Sequence, residues 1–174
     1  MLEIGCGTGR IINNALDINK DLKIHGIEIN PITHKFTQKR FSTNDNIEIY
    51  KTDINDYLKQ NEHHYDLTAC MMNTFGNIHS NKLFNKITEI SDNFIFSLYN
   101  KKYDKDRQEI YLSRGHYDFN FDGKKYCFND PWIKGLVSRS YTEDEIKKMV
   151  NDSNAKLVDI RPVGILHYVI TRAK

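Results

Sequence analysis

Cysteine is scarce in this chain, and blocks of like charge, long apolar runs and paired metal-binding residues are missing. The three cysteines, Cys6, Cys70 and Cys127, are odd in number and widely separated, which excludes a disulfide framework and makes a reducing, cytoplasmic compartment the expectation. No charged-then-apolar leader precedes them. No apolar stretch approaches the roughly 20 residues that a membrane helix needs, so no membrane partner is expected. A net charge of +2, without any run of one sign, gives no electrostatic footprint for nucleic acid. The seven histidines form no pair at ligand spacing. His63 and His64 adjoin before a strand, where alternate side chains face opposite ways and cannot share an ion, so no metal is expected. What remains is a 174-residue chain with 39% hydrophobic content, enough for one domain with a full core. The mean hydropathy of −0.63 reflects abundant Asn and Lys rather than disorder, because apolar segments recur throughout.

The chain opens on Met1-Leu2-Glu3-Ile4-Gly5-Cys6-Gly7-Thr8-Gly9-Arg10, a short apolar strand running into three alternating glycines. Glycine takes φ > 0 without strain and leaves no Cβ in the way, so a ligand can lie against the peptide plane. Ile11, Ile12, Ala15 and Leu16 then fall at helical spacing. The glycines thus join a strand's carboxyl end to a helix's amino end, where ligands bind in open α/β sheets. A dinucleotide turn wants a small residue at position 10, and here it is Arg10.

The Gly5-x-Gly7-x-Gly9 spacing with Glu3 two residues ahead, and Glu28 closing the next strand (Lys23–Glu28), resembles motif I and its sequel in the class I S-adenosylmethionine-dependent methyltransferases, whose usual form is [D/E]-x-G-x-G-x-G. The resemblance implies S-adenosylmethionine as cofactor and S-adenosylhomocysteine as product, held by Glu3, Gly5, Cys6, Gly7 and Gly9 at the turn. It further implies Glu28 and Ile29 at the ribose, Asp53 and Ile54 at the adenine, and Asn73 at the end of the fourth strand. Chemically these assignments are sound: a carboxylate only accepts, and matches the two ribose hydroxyls or an exocyclic amine. Asp53 also reads as an N-cap for residues 55–59.

The expected fold is a Rossmann-like, doubly wound α/β domain. Its sheet has seven strands in the order 3-2-1-4-5-7-6, closed by an antiparallel hairpin. Strands are expected at 47–50, 65–72, 93–98, 155–160 and 165–171. Helices are expected after Gly9, from Pro31 to about Phe41, after Ser80, and behind the Thr142-x-x-Glu145 capping box. Asn73-Thr74-Phe75-Gly76-Asn77 replaces the Asn-Pro-Pro-aromatic pattern of DNA amino-methyltransferases, and looks like the small-molecule branch of the fold.

Residues 99–140 form an insertion, expected to be a substrate lid. In it Arg114–Phe121 and Lys124–Asn129 flank Asp122-Gly123, a hairpin signal that would pair Phe119 with Tyr126 and Tyr117 with Phe128. The resulting aromatic face either packs as core or roofs the acceptor pocket. In-line transfer can proceed by positioning alone. Where a base is needed, His116 and Tyr117 are the candidates, and Tyr103, Arg107, Tyr111, Arg114 and Trp132 are further candidates for the acceptor. Family members usually carry helices before strand one, whereas this chain starts inside that strand. Expected substitutes are the insertion, a partner subunit or homo-oligomer, or residues upstream of Met1. The expected activity is methyl transfer to a small-molecule acceptor. The alternatives are a non-catalytic methyltransferase-like binding subunit and an NAD-linked oxidoreductase.

Overall fold

A ten-stranded mixed sheet runs through the computed structural model, which describes residues 1–131 and 133–174. Five parallel strands come first: β1 (Leu2–Ile4), β2 (Ile24–Ile27), β3 (Ile47–Tyr50), β4 (Tyr65–Cys70) and β5 (Ser91–Asn100), in spatial order β3-β2-β1-β4-β5. Two strands, β9 (Ala155–Val163) and β10 (Leu166–Ala173), form the closing hairpin, with β10 antiparallel to β5 from Arg172↔Asn93 to Leu166↔Tyr99. The main sheet therefore has the expected order, with β10 and β9 as the seventh and sixth places.

Local signals account for the helices. In α1 (Arg10–Ile18), Ile12 is fully buried. In α2 (Pro31–Arg40), Asn30 Oδ1 accepts from the Ile32 and Thr33 N–H groups and Pro31 sits at N1, where a missing donor costs nothing. Asp53 caps α3 (Ile54–Gln60), and Ser80 caps α5 (Asn81–Glu89). Both halves of the Thr142–Glu145 capping box are made at the start of α7 (Glu143–Asn151). Between β4 and α5 lies the short helix α4 (Thr74–Ile78).

Alternation along the strands divides the core in two. Leu2, Ile4, Ile27, Phe94, Phe96, Leu98 and Val169 face α3, α5 and α7. Ile24 and Ile47 face α1 and the end of α2, through Ile12 and Phe41. Phe75, Phe84, Phe94 and Phe96 meet edge-on or tilted, with centroids 4.7 to 5.7 Å apart. Such geometry adds to what their burial already contributes.

The insertion departs most from expectation. After a single 3₁₀ turn, α6 (Asp104–Ser113) precedes three strands, β6 (Phe119–Phe121), β7 (Lys125–Phe128) and β8 (Val137–Tyr141). The hairpin register is Phe119↔Phe128 and Phe121↔Tyr126, two residues away from the pairing expected of an Asp122-Gly123 turn. The cause is Asp122, whose Oδ1 accepts from both Lys124 N and Lys125 N, so the bend centres on Gly123-Lys124. An even slip leaves the faces unchanged. Tyr117 lies before β6 rather than in it, and is 73% exposed. Strand β4 stops at Cys70, not Met72, and β9 continues through Pro162 to Val163, so the final turn is confined to Gly164-Ile165.

Strand β8 joins the main sheet through Tyr99↔Ser140 and Asn100↔Tyr141. Tyr99 also pairs with Leu166 of β10, so β8 must lie on the other edge of β5, continuing the line of β4 beyond its carboxyl end. This placement sets β6–β8 directly above the exit of β4.

Candidate cofactor and acceptor site

Central strand β1 delivers the glycine turn to the middle of the sheet's carboxyl edge. Gly5 and Cys6 donate their N–H groups to Ile27 O at 2.8 and 2.9 Å, and Gly9 N–H donates to Cys6 O at 2.8 Å. All three glycines are left-handed, with φ of 71°, 53° and 79°, yet their surroundings differ. A Cβ on Gly5 would lie 2.6 Å from Thr74 Cγ2, and one on Gly9 would lie 2.4 Å from Phe41 Cε2. At Gly7 nothing stands within 4 Å. Two glycines are thus needed for packing, and the third faces open space.

The Gly7 peptide is gripped at both ends. Its N–H donates to Glu28 Oε2 at 2.8 Å, and its carbonyl accepts from the Thr37 hydroxyl. Glu28 Oε1 accepts from Asn30 N–H at 2.8 Å, fixing a carboxylate that is only 8% exposed. Each carboxylate oxygen has two acceptor positions, so one on each remains for a pair of hydroxyls. Arg40 reinforces the turn by donating to Thr8 O and Asn13 Oδ1, both at 3.1 Å. Thr37 and Arg40, three residues apart on α2, carry no mark in the sequence that ties them to the glycine turn, 30 and 32 residues away.

Two clefts meet at Gly5 and Thr74. One, of about 210 Å³, is bounded by Glu28, Ile29, Asp53, Ile54 and Ile78. The other, of about 260 Å³, is bounded by Glu3, Cys6, Gly7, Arg10, Met71 and Met72. The structure therefore brings together Glu3, Gly5, Cys6, Gly7, Glu28, Ile29, Asp53 and Ile54. Gly9 supports the turn from behind, against Phe41. Asp53 uses Oδ1 for the α3 cap, accepting from Asn55 N at 2.7 Å, and Oδ2 takes no part in it.

Glu3 is 2% exposed, and its Oε2 has no hydrogen-bond partner. Burial pushes its pKa up to about 8, with the Ile12 N–H and Arg10 pulling the other way and Glu28 adding to the rise. The carboxyl is mostly protonated at neutral pH. Beside it, burial raises the Cys6 thiol to about 12, so Cys6 is no nucleophile.

At the exit of β4, Met72 and Asn73 are both left-handed, at φ 55° and 63°. Such conformations cost side-chain-bearing residues free energy and collect at functional sites. Asn73 is fully buried, and protein groups occupy its amide: Oδ1 accepts from Tyr99 N at 2.9 Å, and Nδ2 donates to Asn77 Oδ1 at 2.8 Å and Ser138 Oγ at 3.4 Å. It lines neither cleft, and holds the β4 exit against β5 and β8.

The aromatic stripe of the insertion is filled by the insertion itself. Tyr126 and Phe128 are 1% and 2% exposed and pack on Tyr111 of α6, with centroids 5.2 and 4.9 Å away. It is core, not roof. His116 stacks edge-on against Tyr111 and Phe128, with Nδ1 3.8 Å from Asp130 Oδ2. Neither His116 nor Tyr117 borders the clefts around the glycine turn. Of the further acceptor candidates, Arg114 is exposed, Tyr103 half-buried, Arg107 and Tyr111 buried, and Trp132 lies outside the described residues. Among the described residues no cluster of three or more His, Cys, Asp or Glu is placed to hold a metal ion, and no helix is long and apolar enough to cross a membrane.

Residues 1–92, which include every element bordering the two clefts, match the family described as "Methyltransferase domain". The chain belongs to that family. No curated protein matches the sequence. Among solved structures it is similar to the CcbJ methyltransferase of Streptomyces caelestis, with TM-score 0.67 and 15% identity over 99% of this chain and 82% of that one. It is equally similar to an S-adenosylmethionine-dependent methyltransferase of Clostridium acetobutylicum, with TM-score 0.66, 14% identity and coverage of 99% and 82%. A Methanosarcina mazei protein of the same description gives TM-score 0.65, 15% identity and coverage of 99% and 91%. At these identities the structures establish a shared fold, and the fold is that of the class I S-adenosylmethionine-dependent methyltransferases. The residues present suit that cofactor: an open left-handed glycine, a fixed carboxylate with two acceptor positions left, and a buried carboxyl with one oxygen unpartnered at the far end.

Proposed function

We propose that this methyltransferase transfers a methyl group to a small-molecule acceptor by in-line displacement. The observation that carries the reading is the contrast among the three glycines, of which only Gly7 has open space where a Cβ would stand, beside a carboxylate already locked in place. In this reading Glu28 accepts the two ribose hydroxyls. Asp53 accepts from the adenine amine through Oδ2, with Ile29, Ile54 and Ile78 as apolar walls. The Gly5–Gly9 turn and Glu3 hold the amino-acid end. S-adenosylmethionine supplies an electrophilic methyl on sulfonium. The chain's own part is to fix the donor's position, exclude water and present the acceptor, and alignment of this kind can account for much of the acceleration.

Asn73 is a positioning residue, keeping Met72 and Thr74 at the cleft edge from beneath. Residues 99–140 act as a lid, seated on β5 by β8. Two features support a small acceptor: Thr74-Phe75 stands where DNA amino-methyltransferases carry two prolines, and the insertion packs close to the β4 exit through Ser138 and Asn73. Incubation with radiolabelled S-adenosylmethionine and separate pools of small amines, hydroxyl compounds, carboxylic acids, duplex DNA and protein tests this. Label in a small-molecule pool supports the proposal, and label confined to DNA or protein overturns it.

A further inference from the structure

Within the insertion lies a cation whose setting the fold alone does not explain. Arg107 of α6 is 1% exposed, with its guanidinium between two tyrosine rings, 5.0 Å from the Tyr99 centroid and 4.7 Å from that of Tyr126. Its charge partner is Asp104, one turn earlier, at 3.2 Å. Neither group completes a hydrogen bond there, since Arg107 Nε, Nη1 and Nη2 and Asp104 Oδ1 are all buried without a partner. A guanidinium has five donors in a planar fork, and burying it with a single ion-pair contact and no well-formed hydrogen bond is costly. The ring faces offset only part of that cost.

Strand register fixes where this cation stands. Glu3 is level with Ala69, and Ala69 with Ile95; two residues at a time, Ile95 leads to Ser97 and Tyr99 on the same face. Tyr99 is level with Ser140, and Ser138 with Tyr126. Glu3, Tyr99, Ser138, Ser140 and Tyr126 therefore share one face of the continuous sheet. Arg107 sits on that face, just past the carboxyl ends of β4 and β5. Polar groups surround it: Tyr111 OH meets Ser138 Oγ at 2.7 Å, and Ser140 Oγ donates to Asp104 Oδ2 at 3.2 Å.

Resting on the methyltransferase reading above, we propose that Arg107 is the receptor for a carboxylate group on the methyl acceptor, clamped between Tyr99 and Tyr126. A carboxylate matches the guanidinium fork bidentately, with two parallel N–H···O bonds. Arg107 is 1% exposed in this structure, so entry of the acceptor requires a local rearrangement of the insertion. No bond is made or broken at Arg107; it orients the acceptor.

The test follows the Arg107 Nε–Hε resonance in the ¹⁵N spectrum of the full chain saturated with S-adenosylhomocysteine, assigned by its loss in Arg107→Lys. Acetate is titrated, with acetamide and chloride as controls at matched ionic strength. A saturable shift with acetate alone, at least about tenfold stronger than any response to acetamide, is the expected result. A resonance unmoved by acetate, or moved equally by acetamide or chloride, overturns the proposal. Arg107→Lys that still binds S-adenosylhomocysteine with wild-type affinity shows that the fold survives. Failure of the wild type to bind S-adenosylhomocysteine would instead sink the underlying reading, so the two failures are told apart.

Discussion

Replacing Glu3 by Gln should remove a pH dependence that this one carboxyl imposes on the whole fold. Glu3 lies 2% exposed with Oε2 unpartnered, and its pKa is pushed up from 4.5 to about 8. The folded chain therefore holds a proton that the unfolded chain has released anywhere between those two values. Stability falls as pH rises wherever the folded state binds more protons, so the loss starts near pH 4.5 and levels off above pH 8. Taken whole, a displacement from 4.5 to about 8 corresponds to roughly 4–5 kcal/mol at about 1.4 kcal/mol per unit. Relaxation and water entry reduce this, and on the order of 2–4 kcal/mol is the expected loss. Glu3→Gln carries no titrating group and preserves the shape. Urea unfolding of both proteins at pH 5.5, 7 and 8.5 measures the effect. The wild type should lose a few kcal/mol relative to the variant across that range. Parallel pH profiles would show that Glu3 ionises normally, and would refute the argument. The same carboxyl should release close to one proton when an ammonium-bearing ligand occupies its cleft at pH 7, readable as a buffer-dependent heat of binding.

Gly7→Ala and Gly9→Ala should fail in opposite ways. The first should keep most of its stability, losing about 1–2 kcal/mol for a left-handed alanine, but lose S-adenosylhomocysteine binding; the second should unfold well before the wild type, because its Cβ meets Phe41. Calorimetric binding and thermal melts separate the two. Glu28→Gln should weaken cofactor binding by about 1.5–3 kcal/mol for each lost charged hydrogen bond, and unchanged affinity would remove Glu28 from the ribose. Asn73→Ala should cost about 1–3 kcal/mol by removing the partner of the part-buried Tyr99 N–H, visible as a lower urea midpoint, whereas an unchanged midpoint would mean the β4 exit is held by other contacts.

The amino-terminal half was readable because its signals are local. The glycine spacing, the helix starts at Pro31 and after Ser80 and the strand at 47–50 each rest on signals within a few residues, and the structure places these elements there. The carboxylate landmarks Glu28 and Asp53 came with the family resemblance, each standing at or just after the end of an expected strand. Thr37 and Arg40 were invisible because they act across 30 and 32 residues of sequence, where nothing local marks them. In the insertion Asp122-Gly123 is the strongest turn dipeptide, yet the Asp122 side chain moves the bend by accepting from Lys124 N and Lys125 N. Strand β8 was missed because Val137-Ser-Arg-Ser-Tyr141 presents serines to a polar, buried face, where an apolar alternation was the signal sought. The role of Asn73 hinged on the same strand, since its amide is held by β5 and β8 together.

Calorimetric titration of the chain with S-adenosylmethionine and S-adenosylhomocysteine, with NAD as the control, tests the central claim most directly. Saturable binding of both sulfur nucleosides at micromolar concentration, without heat from NAD, is the result predicted by the open Gly7 and the locked Glu28. Binding of NAD, or no response to either sulfur nucleoside from a folded chain, would contradict it.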